Sequence, residues 1–350
     1  METIFCAQSA FCFYRTPPQV LSMCPTIETP GSQAERIAFA TLPSVLTIFG
    51  APLHLLIFNR NQHTSASNIK RHLWNSELPR NALVDVPGIG TLTSPAFTLF
   101  LLAREVDAIE LAMAMYEFCG EFSIYEPSPE IEDALKSTSG LQGWTRVIED
   151  SGKPSSLWMR PPLTTREELE KLSSQLKGTR GCRTFDKALG MLFGVTRSPF
   201  EAQTAMLLGT SRSMGGYGLL VETNKTIPLT TSAKRLGQRS YCVADLYVES
   251  PDGTRCADVE CQGKAVHSSL GAAGSDADRT TAIESMGIDV VLVSYSQITS
   301  TERLRLVVEL ISEKLGMRFR PKTARQAEAE TFLRSHLFID WRTICDVKHN

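Results

Sequence analysis

The chain reads as α+β overall, with an α/β unit in its C-terminal half: a mixed sheet flanked by helices, preceded by a smaller α+β domain. Three observations predict this. Short apolar runs bounded by Pro and Gly alternate with capped, amphipathic segments. The C-terminal half orders them as helix, strands, helix, strand, helix. Composition is globular, with 42% hydrophobic and 21% charged residues over 350 positions, a length that accommodates two ordinary domains.

Taken in order, the segments divide into an α+β domain over 1–125, a Pro-rich linker with one helix over 126–181, an α/β domain over 182–317 and a tail over 318–350. Residues 1–35, punctuated by Pro17, Pro18, Pro25 and Pro30, are expected to be irregular. Ala51 to Phe58 is a buried strand, with His54 a core residue inside it. Lys70-Arg71-His72 with Trp74 reads as a solvated basic turn. Short strands flank the turn Pro87-Gly88. Ser94-Pro95 opens a helix, since Ser suits the N-cap and Pro the first helical position. Asp107 with Glu110 is a capping-box pattern for a second helix ending at Gly120. Thr164 and Glu167 start the linker helix, and Gly178 stops it.

In the C-terminal half, Thr184 to Phe193 is helical and Ser198-Pro199 opens another helix through Leu208. Tyr241 to Val248 and Arg255 to Gln262 are strands joined by a turn containing Pro251-Asp252-Gly253. Ser275 to Met286 is a helix ended by Gly287, Asp289 to Ser294 a buried strand, and Thr301 to Leu315 an amphipathic helix with Leu304, Val308, Ile311 and Leu315 on one face.

Composition excludes several classes. The formal net charge of −2 gives no whole-molecule attraction to nucleic acid, so a DNA-coating protein is not expected and any phosphate contact needs a local basic patch. Nine Cys, an odd number with no Cys-x-x-Cys pair, argue against a disulfide framework or zinc finger and for reduced thiols. With no signal-like N-terminus and no apolar run of membrane-spanning length, a soluble cytoplasmic protein with no membrane contact is expected.

The chemistry concentrates on the strand pair. A two-residue turn at Asp252-Gly253 places Asp245 directly opposite Glu260; a turn at Pro251-Asp252 places it opposite Asp258. In either register Asp245, Asp258, Glu260 and Gln262 share one face. Like charges facing each other destabilise a sheet, and a divalent cation, Mg²⁺ or Mn²⁺, is the reason expected for gathering them. Asp245 and Glu260 are then the metal ligands, Asp258 an edge-exposed neighbour, and Gln262 or Lys264 the group that orients water or phosphate. Glu201, from the preceding helix, completes the shell or is favoured there by the helix dipole. Arg279 meets phosphate through its planar fork, or pairs with Asp276 along its helix. Arg235 and Arg239, with Lys234, form a basic patch for a phosphate backbone.

These residues carry a resemblance. Ser198-Pro199-Phe200-Glu201, Ala244-Asp245-Leu246, Val259-Glu260-Cys261-Gln262-Gly263, His267, Asp276-Ala277-Asp278-Arg279 and the strand Gly287-Ile288-Asp289-Val290-Val291-Leu292-Val293 together resemble the endonucleases related to very-short-patch mismatch-repair enzymes, in the PD-(D/E)XK superfamily. The resemblance covers about a third of the chain. It implies a restriction-endonuclease-like core, metal-dependent hydrolysis of DNA, and roles for Glu201, Asp245, Glu260, His267, Asp276 and Arg279. Gln262 departs from it, standing where these relatives carry Asp and other members Lys; Lys264 is the expected substitute.

The run from Leu83 to Leu99, with Thr93-Ser94-Pro95-Ala96, resembles the middle domain of AbiEi-type antitoxins and regulators, and implies a defence or toxin–antitoxin setting. Residues 1–50 show no clear helix-turn-helix. Two further readings stand beside the nuclease: an inactive nuclease-fold regulator that binds DNA, and an interaction module whose N-terminal domain docks a protein partner.

Overall fold

The computed structural model describes residues 3–24, 33–59, 66–136, 143–237, 240–263 and 270–345. The fold is mixed α and β, with three sheets flanked by helices.

The front sheet takes β1 (Ile4–Phe5), β2 (Leu53–Ile57), β3 (Ile69–Leu73), β4 (Leu83–Val86) and β5 (Gly90–Thr93) in spatial order β3-β2-β1-β5-β4. Residues 4–21 are therefore not irregular. β1 is the central strand, antiparallel to β2 and parallel to β5. Helix α1 (Ala7–Arg15) follows and buries Ala7, Ala10, Phe11 and Phe13. A two-residue strand shows no alternation, and so short a helix among prolines gives little periodicity to read. The Lys70-Arg71-His72 segment is likewise strand β3 rather than a turn, with His72 and Trp74 buried. Burial dominates the His72 environment and pushes its pKa down to about 4, so the imidazole is neutral at pH 7.

Helix α2 (Pro95–Leu102) starts as expected, with Ser94 Oγ accepting from Phe97 N–H. Helix α3 (Ala108–Cys119) starts where Asp107 accepts from the N–H groups of Ile109 (2.7 Å) and Glu110 (3.1 Å). Nearly every side chain of α3 is buried, making it the central strut.

The expected linker is folded. It holds part of a sheet of β6 (Phe122–Ile124), β7 (Thr145–Ile148) and β8 (Pro154–Met159), ordered β6-β8-β7, with a short helix Pro129–Leu135. Its second helix, α4 (Arg166–Gln175), has its capping box at Thr165 and Glu168, one position later than expected.

The C-terminal half begins with α5 (Cys182–Leu189) and α6 (Pro199–Gly209). Strand β9 (Leu220–Pro228), which the polar run Glu222 to Thr226 concealed, forms one edge of a sheet ordered β12-β11-β10-β9. Helix α7 (Thr231–Gly237) leads to β10 (Tyr241–Glu249) and β11 (Cys256–Gln262). Helix α8 (Leu270–Glu284) crosses to β12 (Asp289–Ser294), and α9 (Thr301–Lys314) buries Leu304, Val308 and Ile311 as its period predicts. Strands β9, β10 and β11 are antiparallel, while β12 lies parallel to β11.

The β10–β11 register pairs Leu246 with Val259 and Tyr247 with Asp258, and Asp245 and Glu260 are the next residues beyond the paired stretch. The turn differs from the two-residue form expected. Ser250 N–H donates to Arg255 O (2.9 Å) and Gly253 N–H to Ser250 O (2.9 Å), leaving Pro251 to Thr254 as the loop. Adding one residue on each side keeps the register.

The tail also folds: α10 (Ala324–Leu337) and a 3₁₀ turn at Trp341–Thr343 place Leu333, Leu337 and Trp341 in the core. One apolar cluster runs from Phe11, Phe97 and Tyr116 through Leu246 and Val259 to Leu337 and Trp341. Among the described residues no helix is long and apolar enough to cross a membrane.

Candidate active site

The site lies where β10 and β11 stop pairing regularly. Beyond Leu246 and Val259, the Cys261 N–H donates to Asp245 Oδ2 (2.9 Å), so the Asp245 carboxylate occupies a place on the strand ladder itself. On β9, Asn224 lies between the residues paired with Ala244 and Leu246, at a left-handed φ of 49°. Its side chain donates to Val195 O (2.9 Å) and lies 3.5 Å from Glu201 Oε2. A polar strand without alternation hid Asn224 from sequence reasoning; Asn is among the residues that tolerate that conformation.

Glu201 rises from the first turn of α6. Its carboxylate accepts from Arg197 N–H (2.8 Å) and from Ser198 Oγ (2.9 Å), while Ser198 Oγ accepts from Glu201 N–H (3.2 Å). Glu201 therefore closes its own helix cap, and it also stands close enough to Asp245 for their charges to repel. Burial raises its pKa against those hydrogen bonds.

Asp258 corrects the expectation of an edge-exposed acid. It is 0% exposed: β12 pairs beyond β11, so β11 is an inner strand, and Arg279 of α8 lies against the carboxylate. Burial raises its pKa, and the neighbouring Glu260 charge raises it further. Asp258 Oδ1 has no hydrogen-bond partner among the described residues. Asp245 is half-buried, and loss of solvent first, then the charges of Glu260 and Glu201, push its pKa up to about 7.

Arg279 reaches from α8 across the sheet. Its Nη2 donates to Val243 O (2.6 Å), to Glu260 Oε1 (2.5 Å) and to Asp258 Oδ2 (3.3 Å). Burial works against its charge, but the Glu260 contact outweighs that and holds the guanidinium above its usual pKa. Arg279 thus pairs with Asp258 and Glu260, Asp245 and Glu201 lie close enough to feel one another's charge, and the charge of Arg197 acts on Glu201.

Gln262 follows Glu260 on the same face of β11 and is exposed beside Ser294 of β12. Arg235 is exposed on α7, a helix packed against α8. Lys264, His267, Arg239 and the Asp276 side chain lie outside the described residues. Sequence reasoning thus located Glu201, Asp245, Glu260 and Arg279, which the fold brings together. It undervalued Asp258 and missed Asn224. No family model, curated protein or solved structure matches this chain.

Proposed function

We propose that this chain hydrolyses phosphodiester bonds in DNA with a divalent metal, its restriction-endonuclease-like core being the sheet of β9 to β12. The carrying observation is the meeting of Asp245 and Glu260, half-buried on adjacent strands, beside the buried Glu201 and Asp258 and with Arg279 paired to Asp258 and Glu260. The donors fit a hard divalent cation such as Mg²⁺ or Mn²⁺: all are oxygens, four carboxyl groups lie close together, and Asp258 Oδ1 has no hydrogen-bond partner among the described residues. A cation bound by Asp245 and Glu260 supplies a water of lowered pKa and offsets charge on the phosphate.

The remaining steps belong to the chain. Asp245 is fixed by the Cys261 N–H, and Glu201 is fixed by the α6 cap beside it. With Glu260 engaged as a ligand, the Arg279 guanidinium would be free to hold a phosphate oxygen through its planar fork. The Gln262 amide, on the same face, orients the attacking water, and Lys264 is the second candidate for that role. Arg235, with Arg239, contacts the phosphate backbone outside the reacting centre.

Incubation of the full chain with supercoiled and single-stranded DNA in Mn²⁺, Mg²⁺ or EDTA tests this. Metal-dependent cutting that Glu260→Ala abolishes is expected. DNA binding without cutting in any metal would instead favour an inactive nuclease fold, the reading to which the uncharged Gln262 and the Arg279–Glu260 pair point.

A further inference from the structure

A second cluster of ligand-type side chains lies in the front domain, away from the carboxylates of β10 and β11. His54 on β2 and His72 on β3 share one face of a parallel pair, with His54 opposite Lys70 and His72 opposite Leu56. Both are buried, His54 to 1% exposure and His72 to 7%. Their rings lie 4.9 Å apart, and His72 Nε2 stands 3.1 Å from His54 Nδ1. Glu105, in the turn after α2, places Oε1 3.8 Å from His72 Nδ1. One donor atom from each of the three residues falls within 4.8 Å of the others.

We propose that His54, His72 and Glu105 bind a borderline divalent cation of the zinc class, which staples β2 and β3 to the turn after α2. Two imidazole nitrogens on a tetrahedral zinc stand about 3.3 Å apart, close to the separation of His54 Nδ1 and His72 Nε2. Glu105 adds the third donor from within 4.8 Å of the two ring nitrogens. Nitrogen donors with one carboxylate suit zinc, cobalt or nickel rather than magnesium, so the site differs in chemistry from the all-oxygen cluster.

Its frame is held independently of an ion. The His54 N–H donates to Ser9 Oγ (2.9 Å), and the His54 carbonyl accepts from Cys6 N–H (3.0 Å). Lys70 pairs with Glu105 Oε2 and leaves Oε1 on the histidine side. With three protein donors, the fourth position of the ion is left to water. In the absence of an ion, His72 Nε2 and His54 Nδ1 share a hydrogen bond.

The test is a titration of the chelator-treated full chain with Co²⁺, read by its visible ligand-field absorption and by metal content after desalting. We expect about one tightly held equivalent with tetrahedral bands, displaced by Zn²⁺ and unaffected by excess Mg²⁺. His72→Gln should abolish the bands. Glu105→Gln, at a partly exposed position less prone to misfolding, should weaken binding about tenfold. Glu260→Gln should leave both signals intact. Absence of ligand-field bands in the unsubstituted protein overturns the proposal, as do bands that survive both His72→Gln and Glu105→Gln or vanish in Glu260→Gln.

Discussion

Asp245 is a carboxyl that the fold obliges to hold its proton. Its pKa rises from 3.8 to about 7, mainly through burial. A group raised in this way binds a proton in the folded chain that the unfolded chain releases, so its share of stability is present at acid pH and lost as pH rises through about 7. Asp245→Asn should therefore raise the Tm by about 2–4 °C at pH 8 and hardly at all at pH 4. A shift of equal size at both pH values would show that the carboxyl is not strained. Mn²⁺ should stabilise the parent protein increasingly between pH 5.5 and 8, because binding must expel the proton. Arg279 answers the same charge. Removing it leaves the buried Asp258 and the half-buried Glu260 without their guanidinium partner, and Arg279→Gln should cost about 3 kcal/mol in denaturant unfolding without metal. Saturating Mn²⁺ should restore part of that loss, whereas no restoration would mean that the carboxylates hold no cation.

At the scale of elements, α6 shows one side chain serving both packing and site. Ser198→Ala removes the cap that accepts from Glu201 N–H and the hydroxyl that donates to its carboxylate, a loss of about 1 kcal/mol. The same substitution frees Glu201 to turn toward Asp245, so activity should change more than stability; proportional losses in both would reduce Glu201 to a capping residue. The β10–β11 hairpin makes a related point. Its register was legible because the turn residues and the alternating carboxylates left two parity-matched options, but the length of the loop was not, since Asp252 organises it by accepting from Ser250 Oγ (2.6 Å) and Thr254 N–H (3.2 Å).

Across the whole molecule, Glu117 ties distant parts of the sequence together. It is 0% exposed and accepts from Arg15 Nε (2.8 Å), Ser123 Oγ (3.0 Å) and Ile124 N–H (2.9 Å). Arg15 also donates to the carbonyl of Trp341 (2.6 Å), which anchors the C-terminal turn to the front domain. Arg15→Ala should cost about 3 kcal/mol by leaving Glu117 buried and unpaired. Deleting residues from 321 onward should lower the Tm of the front and back halves together, read as a single calorimetric transition. Two separated transitions would show that the shared core does not couple them.

What the sequence determined by itself was local. Caps at Ser94, Asp107 and Ser198, the period of α9, and the parity that sets Asp245 with Glu260 all follow from side chains reading their own backbone, so short-range rules suffice. The mixed α and β character was legible for the same reason. Tertiary structure alone decided the rest. β1, β7, β8 and β9 are strands because neighbouring strands supply their hydrogen bonds and one buried face, not because their residues alternate strongly. Asp258 is buried because β12 makes β11 an inner strand, and Arg279 pairs with Glu260 and Asp258 because α8 crosses that sheet. The meeting of His54, His72 and Glu105 likewise depends on a strand pairing between distant segments. Contacts between residues far apart in sequence are set by which apolar faces find each other, and that is decided only when the whole chain is packed.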